Sequence, residues 1–203
     1  MTAPEDVLSF WLDKVGPKGW YEASPELDQD IREGFLAAYE SACEGTYALW
    51  LTYPTGTLAY LILMDQFPRN MFRDAARSFA TDRHALAAAK AAIHRGWDMR
   101  IDEPARQFFY LPLMHSENLC DQDRSVRLIL ERMPQTGASN LLHARAHRDV
   151  IRRFGRFPHR NACLGRSSSQ AEKAFLDNGG YGAAVRAIQS NDGAAAKGEM
   201  ATA

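Results

Sequence analysis

The residues best equipped for chemistry fall in two related strings. Phe67-Pro68-Arg69-Asn70 lies within LILMDQFPRNMFR, and Phe157-Pro158-His159-Arg160-Asn161 lies within RRFGRFPHRNACLGR. Each sets an aromatic anchor and a proline before an Arg-Asn pair. A guanidinium fork offers paired N–H donors to a carboxylate or phosphate, and an amide can orient what the fork holds. Buried groups of this kind are costly unless each finds a partner. The recurrence therefore predicts that the two strings meet in one polar centre, completed by Asp65, Glu117 or Asp121, or by a bound anion. If Arg69 and Arg160 share such partners, their alanine substitutions should be non-additive.

Three functions follow from that centre. The leading one is a site for a small anionic ligand, a carboxylate or phosphate. Arg69, Arg106, Arg156 and Arg160 would bind its charge, Asn70, Asn161 and Tyr110 would orient it, and Asp65 and Asp121 would complete the set. The second is an enzyme at the same place, with His115 or His159 and Glu117 as acid and base. The third is a scaffold holding a peptide or protein in a helical groove.

Other chemistries find less support. His143 and His147 stand at i,i+4, and Glu117, Asp121 and His159 could complete a metal set. Position 144 is Ala, however, not the Glu of the zinc-protease motif, so no metal and no cofactor is expected. Ser116 beside His115 is not a catalytic pair, because neighbours on a helix point about 100 degrees apart. There is no G-x-S-x-G elbow and no Gly-rich phosphate loop. Phe108, Phe109, Tyr110, Phe154 and Phe157 could stack bases, but aromatics at helical spacing are read as core, and nucleic acid is not expected as a partner.

The elements that must position these residues are helices. Val and Ile number only five and seven, while Ala, Leu, Arg and Glu dominate, a composition poor in strand formers. The expected fold is all-α: about eight to ten helices in antiparallel pairs, no sheet, one domain over residues 1–180, and a flexible tail over 181–203 that holds little apolar surface. Thr2 with Glu5 reads as a capping box, and Ser24-Pro25 starts a helix with Leu27, Ile31, Phe35 and Tyr39 as its buried stripe. The apolar run from Thr57 to Gln66 reads as the central helix, ended at Phe67 because a residue before proline is pushed out of helical geometry. A helix beginning at Thr81-Asp82 has a small inward side: Ala85, Ala88, Ala89 and Ala92, with Leu86 and Ile93. Asp121 or Asp123 could start the helix that follows. Ala138–Phe154 is a long helix stopped by Gly155, and Ser169 with Glu172 caps another.

Charge is uneven. Residues 1–65 carry three bases against eleven acids, and residues 66–166 carry eighteen bases against ten acids. Pairing of acidic with basic helices accounts for this split more simply than an anion-binding surface. Three cysteines without a CxxC argue against a disulfide framework and suit a reducing, cytoplasmic setting. The start MTAPEDVLSF lacks the pattern of a signal peptide, and the longest apolar run, Leu58 to Met64, is too short to span a bilayer, so no membrane partner is expected. Oligomeric state leaves no mark in the sequence.

DQFPRNMFR at 65–73, FFYLPLMHSE at 108–117, DQDRSV at 121–126 and RFGRFPHRNACLGRSS at 153–168, with VLSFWL near the start and the pair Trp20-Tyr21, together resemble an uncharacterised bacterial family, domain of unknown function 924. The resemblance extends over about residues 5 to 178. It implies an all-helical, tetratricopeptide-like fold of antiparallel helix pairs and implies no activity. Asn118 and Cys120 depart from the family pattern.

Overall fold

The structure, a computed structural model, describes the backbone of residues 1–200 and the side chains of residues 1–190. Its elements in order are α1 (Pro4–Leu8), α2 (Gly16–Gly19), α3 (Pro25–Cys43), α4 (Pro54–Leu61), α5 (Phe67–Met71), α6 (Asp82–His94), α7 (Leu111–Met114), α8 (Leu119–Arg132), α9 (Ala138–Phe154), α10 (Gln170–Asp177) and α11 (Gly180–Met200). Short 3-10 and π turns connect several of them, and no strand occurs among the described residues. The fold is all-α. The contacts gather into two compact units, Met1–Leu113 and Met114–Ala203.

The first unit is built on the apolar run. Every residue from Gly56 to Pro68 is buried. Phe67 sits at its end with no exposed surface, and its ring meets Phe10, Trp11 and Phe35 at centroid distances of 6.0, 5.4 and 4.8 Å. Phe108 extends this aromatic core to Trp20 at 4.8 Å. Gly56 is required where it stands: a Cβ there would come within 2.6 Å of the Trp50 carbonyl oxygen and of the Tyr53 ring.

The structure corrects the reading of Phe67 as a helix end. Phe67 is helical, with φ −58 and ψ −37, and opens α5. The break expected before Pro68 is absorbed upstream, where Ile62–Gln66 widens into a π turn. Pro68 then falls in the first turn of α5, where its missing N–H costs nothing. Two start signals are also displaced. The Ala3 N–H donates to Asp6 rather than Thr2 pairing with Glu5, and Asn118, not Asp121 or Asp123, caps α8 by accepting from the N–H groups of Cys120 and Asp121. Ser24 accepts from the Leu27 N–H at the start of α3, and Ser169 with Glu172 forms the reciprocal cap of α10.

In the second unit α8 and α9 pack as a hairpin around Val126, Leu128, Ile129 and Ala144, and α9 ends at Gly155, which takes φ +68. Val150, Ile151, Phe157, Phe175 and Ala184 form a further buried cluster.

Residues 180–200 form helix α11, whose first turns are anchored on α9: Tyr181 bonds the α9 histidines and Ala184 is 5% exposed. Within residues 181–190 this gives one aromatic and one small buried contact. Residues 201–203 lie outside the described residues. Truncation after Gly180 is therefore expected to lower the melting temperature by several degrees, as differential scanning calorimetry would show; an unchanged value would mean the anchoring contributes nothing.

Candidate functional site

In the first unit the string Asp65–Arg73 is held by carboxylates. Arg69 lies 3.0 Å from Asp82 and 3.4 Å from Asp65. Asn70 donates to Asp28 at 2.8 Å, and Arg73 donates to both oxygens of Asp28 at 2.8 and 2.7 Å. Asp28 and Asp82 escaped the sequence reading because nothing in their local spacing marks them. Of the other expected residues, Arg106 donates to the Ile101 carbonyl at 2.8 Å and stands 3.9 Å from Glu103. The Tyr110 hydroxyl donates to Asp98 at 2.6 Å, both residues having no exposed surface.

The second string is placed differently. Phe157 is extended, with φ −89 and ψ 107, and Pro158–Arg160 makes one 3-10 turn. Glu117 bridges it: one carboxylate oxygen accepts from the Phe157 N–H at 2.8 Å, and Arg166 binds both oxygens at 2.7 and 2.9 Å. Burial pushes the Glu117 carboxyl up, but the Arg166 guanidinium and the Phe157 N–H outweigh it and hold the group below the usual carboxylate range. Arg156 binds Glu172 through two bonds of 2.6 and 2.8 Å, and Arg156 and the Ser169 N–H hold that carboxyl well below its ordinary range. Arg160, 6% exposed, lies over the Phe157 ring at 4.5 Å. The Asn161 amide donates to Ser168 at 3.0 Å, and Asp121 accepts from Ser116 at 2.9 Å. His159 is exposed beside Phe157. The first string lies in the first unit and the second string in the second.

A histidine–tyrosine group lies beside the second string. His147 Nδ1 stands 2.8 Å from the His143 carbonyl, which can only accept, so Nδ1 carries the proton and Nε2 has the lone pair. The Tyr181 hydroxyl is 3.0 Å from that Nδ1 and 2.7 Å from His143 Nδ1. The His115 and Phe157 rings approach His147 at 6.3 and 5.3 Å. Burial, reinforced by the neighbouring His115 charge, pushes the His147 pKa down to about 3. Among the described residues no three histidine, cysteine or acidic side chains converge to hold a metal ion.

This depression sets a pH dependence. Because the folded pKa lies below the unfolded value, the unfolded chain binds the extra proton. The stability contribution is complete above about pH 6.5 and is lost as pH falls towards 3. Between pH 7 and 5 His147 should account for about 1–2 kcal/mol of lost stability. Urea unfolding of the protein and of His147→Gln checks this; equal pH slopes would refute it. Titration of the ring by nuclear magnetic resonance should place its midpoint well below 5.

The first unit also holds a groove of about 390 Å³. Its floor is one stripe of α6, His84, Ala87, Ala88 and Ala91, continued by Arg95 just past the helix end. The spacings are three, four, seven and eleven residues from His84, so all five share one face over about 16 Å. Leu51, Thr57, Tyr60 and Trp97 form the walls. The Arg95 guanidinium lies 4.9 Å from the Trp97 ring centre, and among the described residues neither Arg95 nor His84 meets a carboxylate. Ala88, expected on the inward side, instead faces this groove, while Ala85, Ala89 and Ala92 are buried. Sequence reasoning missed the site because three of its walls, Leu51, Thr57 and Tyr60, come from 28 to 37 positions before Ala88 at the middle of the stripe.

The class defined here is an all-helical protein with internally paired Arg-Asn motifs and a separate cation-bearing groove. A bacterial family described as proteins of unknown function (DUF924) matches residues 7–180, and the chain belongs to that family. A solved protein of unknown function from Agrobacterium tumefaciens is similar: 38% identity, a TM-score of 0.81, and coverage of 86% of this chain and 97% of that one. No curated protein matches. Among the described residues no helix is long and apolar enough to cross a membrane.

Proposed function

We propose that this protein binds a small anionic ligand, and that the groove on α6 holds it. The observation that carries this reading is the contrast between the cations. Arg69, Arg73, Arg156 and Arg166 already have carboxylates at 2.6–3.4 Å, so their charge needs no ligand. Arg95 lines an apolar groove without one. A mostly apolar concavity of a few hundred cubic ångströms with a few polar groups at its margin is the common form of a small-ligand site. Glu117, kept ionised with both oxygens engaged, is poorly placed to give up a proton, which weighs against the acid–base reading.

The test uses anilinonaphthalene sulfonate, an apolar anion that brightens when sheltered from water. It is expected to bind the protein, and Ala88→Trp, which fills the middle of the groove, should weaken binding at least tenfold. Ala91→Leu supplies a milder block should the tryptophan disturb folding. Undiminished binding by both variants would place the probe elsewhere and refute the reading.

A further inference from the structure

We infer that the groove takes a straight-chain aliphatic carboxylate, its head on Arg95 and its tail lying along the alanine stripe towards His84. This inference rests on the groove being the ligand site and adds the class of ligand.

Three features select that class. The first is shape. Ala87, Ala88 and Ala91 put only methyl groups along a straight path of about 16 Å between Arg95 and His84. No long side chain of α6 interrupts that path, so an extended methylene chain can touch it throughout. The second is charge. Arg95 is a single permanent cation, and a carboxylate matches it through two parallel N–H···O bonds. A phosphate dianion would be under-neutralised there, because the other basic side chain of the groove, His84, stands three helical turns away. The third is the state of Trp97. The Arg95 guanidinium already lies against its ring at 4.9 Å, so an aromatic ligand gains no stacking on that face. Tyr60, 8% exposed, adds a wall whose hydroxyl makes no hydrogen bond among the described residues.

Displacement of anilinonaphthalene sulfonate by hexanoate, octanoate and decanoate, each below its micelle-forming concentration, tests the inference. Affinity is expected to rise about fourfold per methylene. Decanol should bind at least tenfold more weakly than decanoate, and Arg95→Gln should erase that difference while leaving decanol unchanged. Decanol matching decanoate in the unaltered protein, or phenylacetate matching decanoate, would overturn the aliphatic-carboxylate assignment and leave the groove reading intact. Loss of the groove reading has its own signature, the indifference of probe binding to Ala88→Trp and Ala91→Leu.

Discussion

Phe67→Ala is expected to destabilise the first unit by about 3–5 kcal/mol, the cost of a large cavity in a core that cannot collapse around it. The ring has no exposed surface and meets Phe10, Trp11 and Phe35 within 6.0 Å. It also sits where the π turn passes into α5, so the surrounding backbone has little freedom to close the gap. All four tryptophans, Trp11, Trp20, Trp50 and Trp97, lie in the first unit, so their fluorescence reports its urea transition. A shift worth less than about 1 kcal/mol would mean that the aromatic cluster repacks, and that Phe67 is not its centre.

Glu117→Ala should be the most damaging polar substitution in the second unit, at about 2–3 kcal/mol. Breaking a buried ion pair by removing one partner costs about 3–5 kcal/mol. Glu117 and Arg166 keep 27% and 24% of their side-chain surface in water, so the expected cost is discounted from that range. The carboxylate also accepts from the Phe157 N–H and so fixes the start of the Pro158–Arg160 turn. Glu117→Gln should lose less, because an amide oxygen can still accept that bond. A double-mutant cycle with Arg166→Ala should show coupling of about 1 kcal/mol or more, and strict additivity would refute the bridge. The depressed Glu117 pKa has a stated sign: its stabilising effect is present above the unfolded value of 4.5 and fades as pH falls through the lower folded value. Amide hydrogen exchange over residues 155–161 reads the local part of this effect, since no tryptophan reports the second unit.

The helical class, the buried run from Thr57 to Gln66 and the caps at Ser24, Ser169 and Gly155 were legible in the sequence because each depends on neighbours within a few residues. The partners of the Arg-Asn strings were not. Arg69 pairs with Asp65 four residues away but also with Asp82, and Asn70 and Arg73 find Asp28 across more than forty positions. Local spacing carries no record of which distant carboxylate arrives. Tyr181 was hidden in the same way: a residue in a stretch of small and polar side chains, it bonds two histidines of α9.

The two Phe-Pro strings make the division plain. The sequence by itself determined that each would bury an aromatic ring and present an arginine and an asparagine, because those properties belong to the residues. Tertiary structure decided what the backbone did. The first string continues as helix, with Phe67 at ψ −37, since the buried run before it shifts into a π turn and brings Pro68 into a first turn. In the second string Phe157 is extended, with ψ 107, since Gly155 has already ended α9 and Glu117 takes the Phe157 N–H. A pre-proline residue is only biased away from the helix, and that bias is small beside the packing of a ring with no exposed surface.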